Sequence, residues 1–292
     1  MRVLYAAVLA AVLLSVSACT SPAPRPTPSA SPDGAITLQF AAPGGTPLRL
    51  DACVPAGGSA LPILVLVHGG QFTAGSRTML RQACLDGAAH GYASFSVDYR
   101  LVKYKSGTAP VRFPGQLEDV ASAVSWLRAD AQVQRFRTDR SRVVLLGESA
   151  GAVLAGELAV GVPDSPLPAS TFSGAVLLSG AYDFAASDLG APLRGIEDQY
   201  LGCGTTSPCA AVARASTINH VKRGDPPMLV INSEHELVPR SQADRFAAAL
   251  QAKGVSHRLV IGPGNFHGID IAAHSTAITA DIWSFVASVV HR

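Results

Sequence analysis

The sequence predicts an α/β fold: a mostly parallel, doubly wound sheet of about eight strands with flanking helices. Short Val-, Ile- and Leu-rich runs alternate with longer runs of helical period, the rhythm of strands joined by crossover helices. The run Ile63-Leu64-Val65-Leu66-Val67 has no polar alternation, so both of its faces must be covered, as in the centre of a parallel sheet. The pentapeptide Gly147-Glu148-Ser149-Ala150-Gly151 joins an apolar run, Val143-Val144-Leu145-Leu146, to a helical one at residues 152–160. A serine at such a strand-to-helix turn is pushed out of the end of the sheet with its Oγ exposed.

The elements follow in chain order. Ile36-Thr37-Leu38-Gln39-Phe40 and Leu48-Arg49-Leu50-Asp51-Ala52 alternate on either side of a Pro-Gly-Gly turn and read as an antiparallel hairpin. After the strand at 63–67 come a helix at 77–90, a strand at 93–97, a helix at 117–130 and the strand before Gly147. Further strands are expected at 174–178, 228–231 and 258–261, with helices at 241–253 and 271–290. Trp126 and Trp283 fall on helices among apolar neighbours and are expected in the core. No internal repeat interrupts this order. A chain of 292 residues holds such a sheet as one domain, residues 35–292. Charged residues make up 15% and the net charge is +2, which leaves no electrostatic footprint for nucleic acid. Lys103-Tyr104-Lys105 and Lys222-Arg223 read as solvated loop charges.

Residues 1–18 read as a signal peptide: Arg2 supplies a positive start, and the apolar run 3–14 is short for a membrane span. The stretch Val16-Ser17-Ala18-Cys19 resembles the bacterial lipobox, in which the cysteine becomes the lipid-modified N-terminus; ordinary cleavage after Ala18 is the alternative. Removing Cys19 by lipidation leaves four cysteines, an even number suited to an oxidising compartment. The expected location is therefore extracytoplasmic and lipid-anchored, with a secreted soluble form as the alternative. Residues 19–34 carry prolines at 22, 24, 26, 28 and 32 and read as an extended tether.

Gly147 and Gly151, two residues to either side of the serine, have a steric reason to be glycine, since side chains there would collide where strand and helix backbones close on each other. The Ala150 N–H, at the start of the helix, can face a developing oxyanion. A serine hydroxyl is a weak nucleophile at neutral pH, so Ser149 needs a base and the base needs an orienting carboxylate. Eight histidines compete for the base role. His90, His220, His257 and His291 sit at element ends, His274 inside the last helix, and His68 in the loop after residue 67. His267 lies in the glycine-rich loop Gly262-Pro263-Gly264-Asn265-Phe266-His267-Gly268 after the last strand, where loops of open α/β sheets place functional groups.

Taken together, His68-Gly69-Gly70, Asp98-Tyr99-Arg100-Leu101, Phe113-Pro114 with Asp119 and Trp126-Leu127, Gly147 to Gly151, and residues 232–239 resemble the α/β-hydrolase serine esterases. The similarity is to the His-Gly-Gly branch related to hormone-sensitive lipase and to feruloyl and acetyl-xylan esterases. The landmarks run in order from residue 35 to the C-terminus. The resemblance implies a carboxylic-ester hydrolase acting on a small-molecule ester with no cofactor, with His267 as its base and a small cap inserted at about 182–223. It also implies an acid near Pro239. Relatives often carry an aspartate where His235 stands here, with carboxylates on both sides of it. Glu236 matches the glutamate of other relatives, Glu234 is the reserve, and the third possibility is that the acid is supplied elsewhere or missing. For the oxyanion, the loop implies the backbone N–H groups of Gly70 and Gln71 together with that of Ala150; one branch has a third glycine where Gln71 stands. An Arg100 to Asp119 ion pair is expected to fix the loop after the strand at 93–97.

The remaining cysteines allow three pairings, of which Cys53–Cys84 with Cys203–Cys209 is the expected one. No Cys-x-x-Cys or His-Glu-x-x-His spacing suggests a metal. Two other functions fit the sequence: an amide or peptide hydrolase with the same triad, or an inactive binding lipoprotein of this fold, which the histidine at the usual acid position favours. Oligomeric state has no signature here.

Overall fold

The computed structural model describes residues 29–30, 34–102, 110–203 and 209–291. The signal peptide, Cys19, nearly all of the tether and Lys103-Tyr104-Lys105 lie outside them. The chain runs β1 (Ser29–Ala30), β2 (Ile36–Ala41), β3 (Leu48–Cys53), β4 (Leu61–Val67), α1 (Arg81–Ala89), β5 (Ala93–Val97), α2 (Gly115–Arg128), α3 (Asp130–Phe136) and β6 (Thr138–Glu148). It continues through α4 (Ala150–Val160), β7 (Gly174–Leu178), α5 (Gly190–Leu201), α6 (Ala210–Ala215), β8 (Met228–Ser233), α7 (Arg240–Ala252), β9 (His257–Gly262), α8 (Asp270–Ala273) and α9 (Thr276–Val290).

One nine-stranded sheet results, in the order β1-β2-β3-β5-β4-β6-β7-β8-β9. Strands β1 to β3 pair antiparallel, β3 meets β5 antiparallel, and the pairings from β5 and β4 through to β9 are parallel. The alternation of side chains along a strand divides the core in two. Ile63, Val65 and Val67 of β4 pack with α2, α4 and α7 on one face. Leu64 and Leu66 pack with α1 and α9 on the other. Every residue of β4 and of β5 is buried; β4 accordingly shows no polar alternation, whereas β5 alternates Ser94 and Ser96 with apolar residues and buries both serines.

Several expected boundaries move. Two residues of the expected tether, Ser29 and Ala30, pair with β2, because an unpaired hairpin edge offers free backbone donors and acceptors. Residues 77–80 wind as a 3₁₀ turn before α1. Helix α3 was not anticipated; it is short, and residues 128–130 break the period between it and α2. The single helix expected at 271–290 is two, since the Ser275 side chain accepts from Ile278 N–H and caps α9 there, leaving His274 at the end of α8. Trp126 and Trp283 are half-buried at the rim, not in the core; Trp283 stacks on His90 at 4.3 Å. Both expected disulfides, Cys53–Cys84 and Cys203–Cys209, are present. So is the Arg100 pair, with Nε 2.7 Å from Asp119 Oδ2. The insertion between β7 and β8 contains α5 and α6 and packs over the end of the sheet where the parallel strands finish. Among the described residues no helix is long and apolar enough to cross a membrane.

Candidate active site

Three loops leave the C-terminal ends of neighbouring parallel strands and meet: the turn from β6 into α4, the loop after β8 and the loop after β9. Crevices at these strand ends are where open α/β sheets place ligands. Ser149 sits at the first turn with φ 53° and ψ −120°, a sparsely populated backbone conformation for a residue with a side chain. The turn is tight enough that a Cβ on Gly147 would strike the Gly151 carbonyl, and one on Gly151 would strike that of Val67. Both positions therefore need glycine.

His267, after β9, faces Ser149 Oγ through Nε2 at 2.8 Å and Glu236 Oε2 through Nδ1 at 2.5 Å. In the neutral tautomer that this arrangement favours, Nδ1–H donates to the carboxylate and the serine hydroxyl donates to Nε2. The Glu236 side chain is fully buried, and its Oε1 accepts from Ser233 N–H at 2.8 Å and from Ser179 Oγ at 2.9 Å. Ser179 also accepts from Gly268 N–H at 2.8 Å, tying the acid's loop to the histidine's. The reserve carboxylate, Glu234, is exposed, as is His235. Backbone N–H groups of both bond to the β9 loop, Glu234 to Gly262 O and His235 to Gly264 O. These bonds turn the loop so that the third residue, Glu236, points at His267.

The loop after β4 arches over the serine. Gly70 has φ 101°, and Gln71 and Phe72 have φ 57° and 60°, a left-handed run that costs side-chain-bearing residues on the order of 1–3 kcal/mol each. Its carbonyls are engaged: Gly70 O accepts from Thr73 and Ala74 N–H, and Phe72 O from Val102 N–H. Among the described residues, the N–H groups of Gly70, Gln71 and Ala150 have no acceptor, and Gln71 and Ala150 line the same pocket as Ser149. His68 anchors the loop from below. It is buried, stacks on Tyr99 at 4.3 Å, and its Nδ1 lies 2.7 Å from Gly69 O. Burial pushes the imidazole pKa down, so His68 is a neutral donor to that carbonyl. Tyr99 adds its hydroxyl to the His68 carbonyl at 3.0 Å.

Four residues beyond those read from the sequence complete the site. Glu148, the variable residue of the pentapeptide, accepts from Gly69 N–H at 2.5 Å beneath the loop after β4. Burial raises its carboxyl pKa, against the Gly69 hydrogen bond and the proximity of His267. Ser179 follows β7, and that position at the end of a parallel strand was its only available signal. Tyr200 and Glu197 come from α5 in the cap; helical period shows that α5 has an inward face but not what it faces. Tyr200 stacks on Phe72 at 3.8 Å and donates to Glu157 Oε2 at 3.0 Å. Among the described residues no group of three or more His, Cys, Asp or Glu side chains could hold a metal ion.

The BD-FAE family matches residues 50–250 of this chain. Esterase LipC of Mycobacterium tuberculosis is 30% identical over 245 residues, covering 79% of this chain. The chain spans 59% of the length of that relative. An esterase of Thermogutta terrifontis superposes with a TM-score of 0.70 at 22% identity, covering 87% of this chain and 90% of that one. The acetyl ester-xyloside bifunctional hydrolase of Caldicellulosiruptor lactoaceticus superposes at 0.68 and 22% identity, covering 83% and 88%. With its family match extending over more than half of its length, the chain belongs to the BD-FAE family and has the α/β-hydrolase fold.

Proposed function

We propose that this protein is a serine carboxylesterase working through an acyl-enzyme on Ser149. The observation that carries the proposal is the unbroken chain of hydrogen bonds from Glu236 through His267 to a strained, pocket-lining serine. Ser149 Oγ attacks the ester carbonyl carbon while His267 Nε2 takes its proton, and the carbonyl π pair moves onto oxygen. The N–H groups of Gly70, Gln71 and Ala150 receive that oxyanion, each such donor contributing on the order of 2.7–4 kcal/mol. Collapse breaks the bond to the alcohol oxygen, which leaves with the proton from His267. Water then repeats the sequence on the acyl-enzyme, releasing the acid and restoring Ser149. Glu236 holds the histidine in its tautomer and stabilises the imidazolium without itself taking the proton. The histidine at the usual acid position favours an inactive binder, and Glu236 within hydrogen-bond reach of His267 supports the active reading in its place.

Intact-mass detection of fluorophosphonate labelling, beside turnover of p-nitrophenyl acetate and butyrate, tests the proposal. Labelling and turnover are expected in the wild type and lost in Ser149→Ala and His267→Ala; a well-folded protein that neither labels nor turns over would overturn it.

The same reading extends to location. Cleavage of residues 1–18 leaves Cys19 as the lipid-bearing N-terminus, and the domain stands off the membrane on a proline-rich tether. Two disulfides among the other four cysteines support an oxidising compartment. Incorporation of labelled palmitate, abolished in Cys19→Ala, is the expected result, and unlabelled soluble protein would point to ordinary secretion.

A further inference from the structure

The pocket beside Ser149 is partly open to solvent, and most of its wall is apolar, including Phe72, Val153, Phe184, Leu193 and Ile196. One carboxyl interrupts this wall. Glu197, on α5 next to Ile196 and one turn beyond Leu193, lines the pocket and is only 5% exposed. Its Oε1 has no hydrogen-bond partner among the described residues. A buried oxygen left in that state is destabilising, and a leucine or methionine at this position would complete the apolar wall without that cost. The proposed catalytic chemistry makes no use of it. We infer that Glu197 sets substrate specificity at this site, selecting an ester whose pocket-bound arm carries a hydroxyl group; the inference rests on the esterase reading above.

A hydroxyl fits better than a cation. The charged groups around Glu197 are Arg194 and Asp198 on its own helix and Asp183 after β7, so one positive group already stands beside it. Burial pushes its carboxyl up to about 8, with Arg194 opposing and the two aspartates adding, so near neutral pH the acid is mostly protonated. A neutral carboxylic acid both donates and accepts, as a hydroxyl does. An aliphatic arm entering the pocket would leave the orphan oxygen unpaired and remove what little water reaches it. Sites built to hydrogen-bond a substrate hydroxyl discriminate strongly against analogues without it.

The test compares kcat/KM within matched pairs, using the full chain and its Glu197→Gln and Glu197→Leu variants. For the acyl arm the pairs are p-nitrophenyl 3-hydroxybutyrate against butyrate and 6-hydroxyhexanoate against hexanoate; for the alcohol arm, the pair is 6-hydroxyhexyl against hexyl butyrate. Taking the ratio within each variant cancels differences in the amount of active protein. The wild type is expected to favour the hydroxylated member of at least one pair by about tenfold, in line with one net hydrogen bond. Glu197→Gln keeps most of that preference, and Glu197→Leu reverses it toward the plain ester. A wild-type ratio near one in every pair, or a preference that survives in Glu197→Leu, overturns the inference while leaving the esterase reading intact. Failure of the wild type to turn over even p-nitrophenyl acetate overturns both.

Discussion

Glu236 is defined by its neighbours more than by its own position in the sequence. Two glutamates separated by one residue offer the same carboxylate, yet Glu234 is exposed and Glu236 is buried against His267. Replacing Glu236 with Gln puts an amide where the imidazole N–H must be accepted, so the tautomer and the imidazolium both lose support. Glu236→Gln is expected to lower kcat by about 10³–10⁴-fold with KM changed far less, and Glu234→Gln to stay within about twofold. Equal losses in the two variants would mean that the acid is not Glu236. Ser149 and His267 were legible because a strand-to-helix pentapeptide and a glycine-rich loop after the last strand mark strand ends. The choice between Glu234 and Glu236 was not, because it depends on two backbone hydrogen bonds between the β8 and β9 loops. Ser179 and Glu197 escaped for the same reason: each belongs to the site only through contacts made across the fold.

At the scale of elements, α4 and α5 support the site from two sides. Helix α4 is buried along its whole length, with Glu157 inside it, and α5 brings Tyr200 to cover that carboxyl and stack on Phe72. The strained loop after β4 is thus held by α5, so removing the ring should be felt at the serine. Tyr200→Ala is expected to cost about 10–100-fold in kcat, the scale of an ångström-sized misplacement, as checked by steady-state kinetics. Unaltered kcat in a folded Tyr200→Ala protein would show that the loop holds itself. Glu157 leaves a signature in stability. Burial raises its carboxyl well above the ordinary 4.5, against the opposing hydrogen bond from Tyr200. The unfolded chain therefore releases this proton near 4.5 while the folded protein keeps it, and stability falls as pH rises from there toward the folded value. Urea melts across pH 5–9 should show a shallower alkaline decline in Glu157→Gln than in the wild type; parallel declines would exclude Glu157 as a source. The helical run at 152–160 marked α4, but a lone glutamate in it gave no hint of its burial or of its tyrosine partner. The break before α9 was likewise hidden, since Ser275 caps a helix only where the preceding chain turns.

Across the whole molecule, the two disulfides divide the work of stabilisation. Cys53–Cys84 ties β3 to α1 and spans 31 residues, whereas Cys203–Cys209 spans 6 and lies within the cap. The first is reinforced by a buried charge cluster at the same seam: Asp51, fully buried on β3, accepts from Arg77 Nε at 2.8 Å, Arg81 Nη2 at 2.6 Å and Thr37 Oγ1 at 2.6 Å. Closing the longer loop removes more freedom from the unfolded chain, about 3–4 kcal/mol against about 2 for the shorter in the chain-entropy account. The body bridge should therefore govern global stability, and the cap bridge should act mainly on the site. Cys53→Ala/Cys84→Ala is expected to lower unfolding free energy by about 3–4 kcal/mol, with kcat/KM retained at temperatures where the protein remains folded. Cys203→Ala/Cys209→Ala should shift the urea midpoint less and weaken turnover of long-chain esters more than that of acetate, because the bridge follows directly on α5, which carries Tyr200 and Glu197. Denaturant melts and a p-nitrophenyl ester series on the two double variants separate these effects. A larger stability loss from the cap pair, or a chain-length effect confined to the body pair, would contradict this division and place the cap within the cooperative core of the sheet.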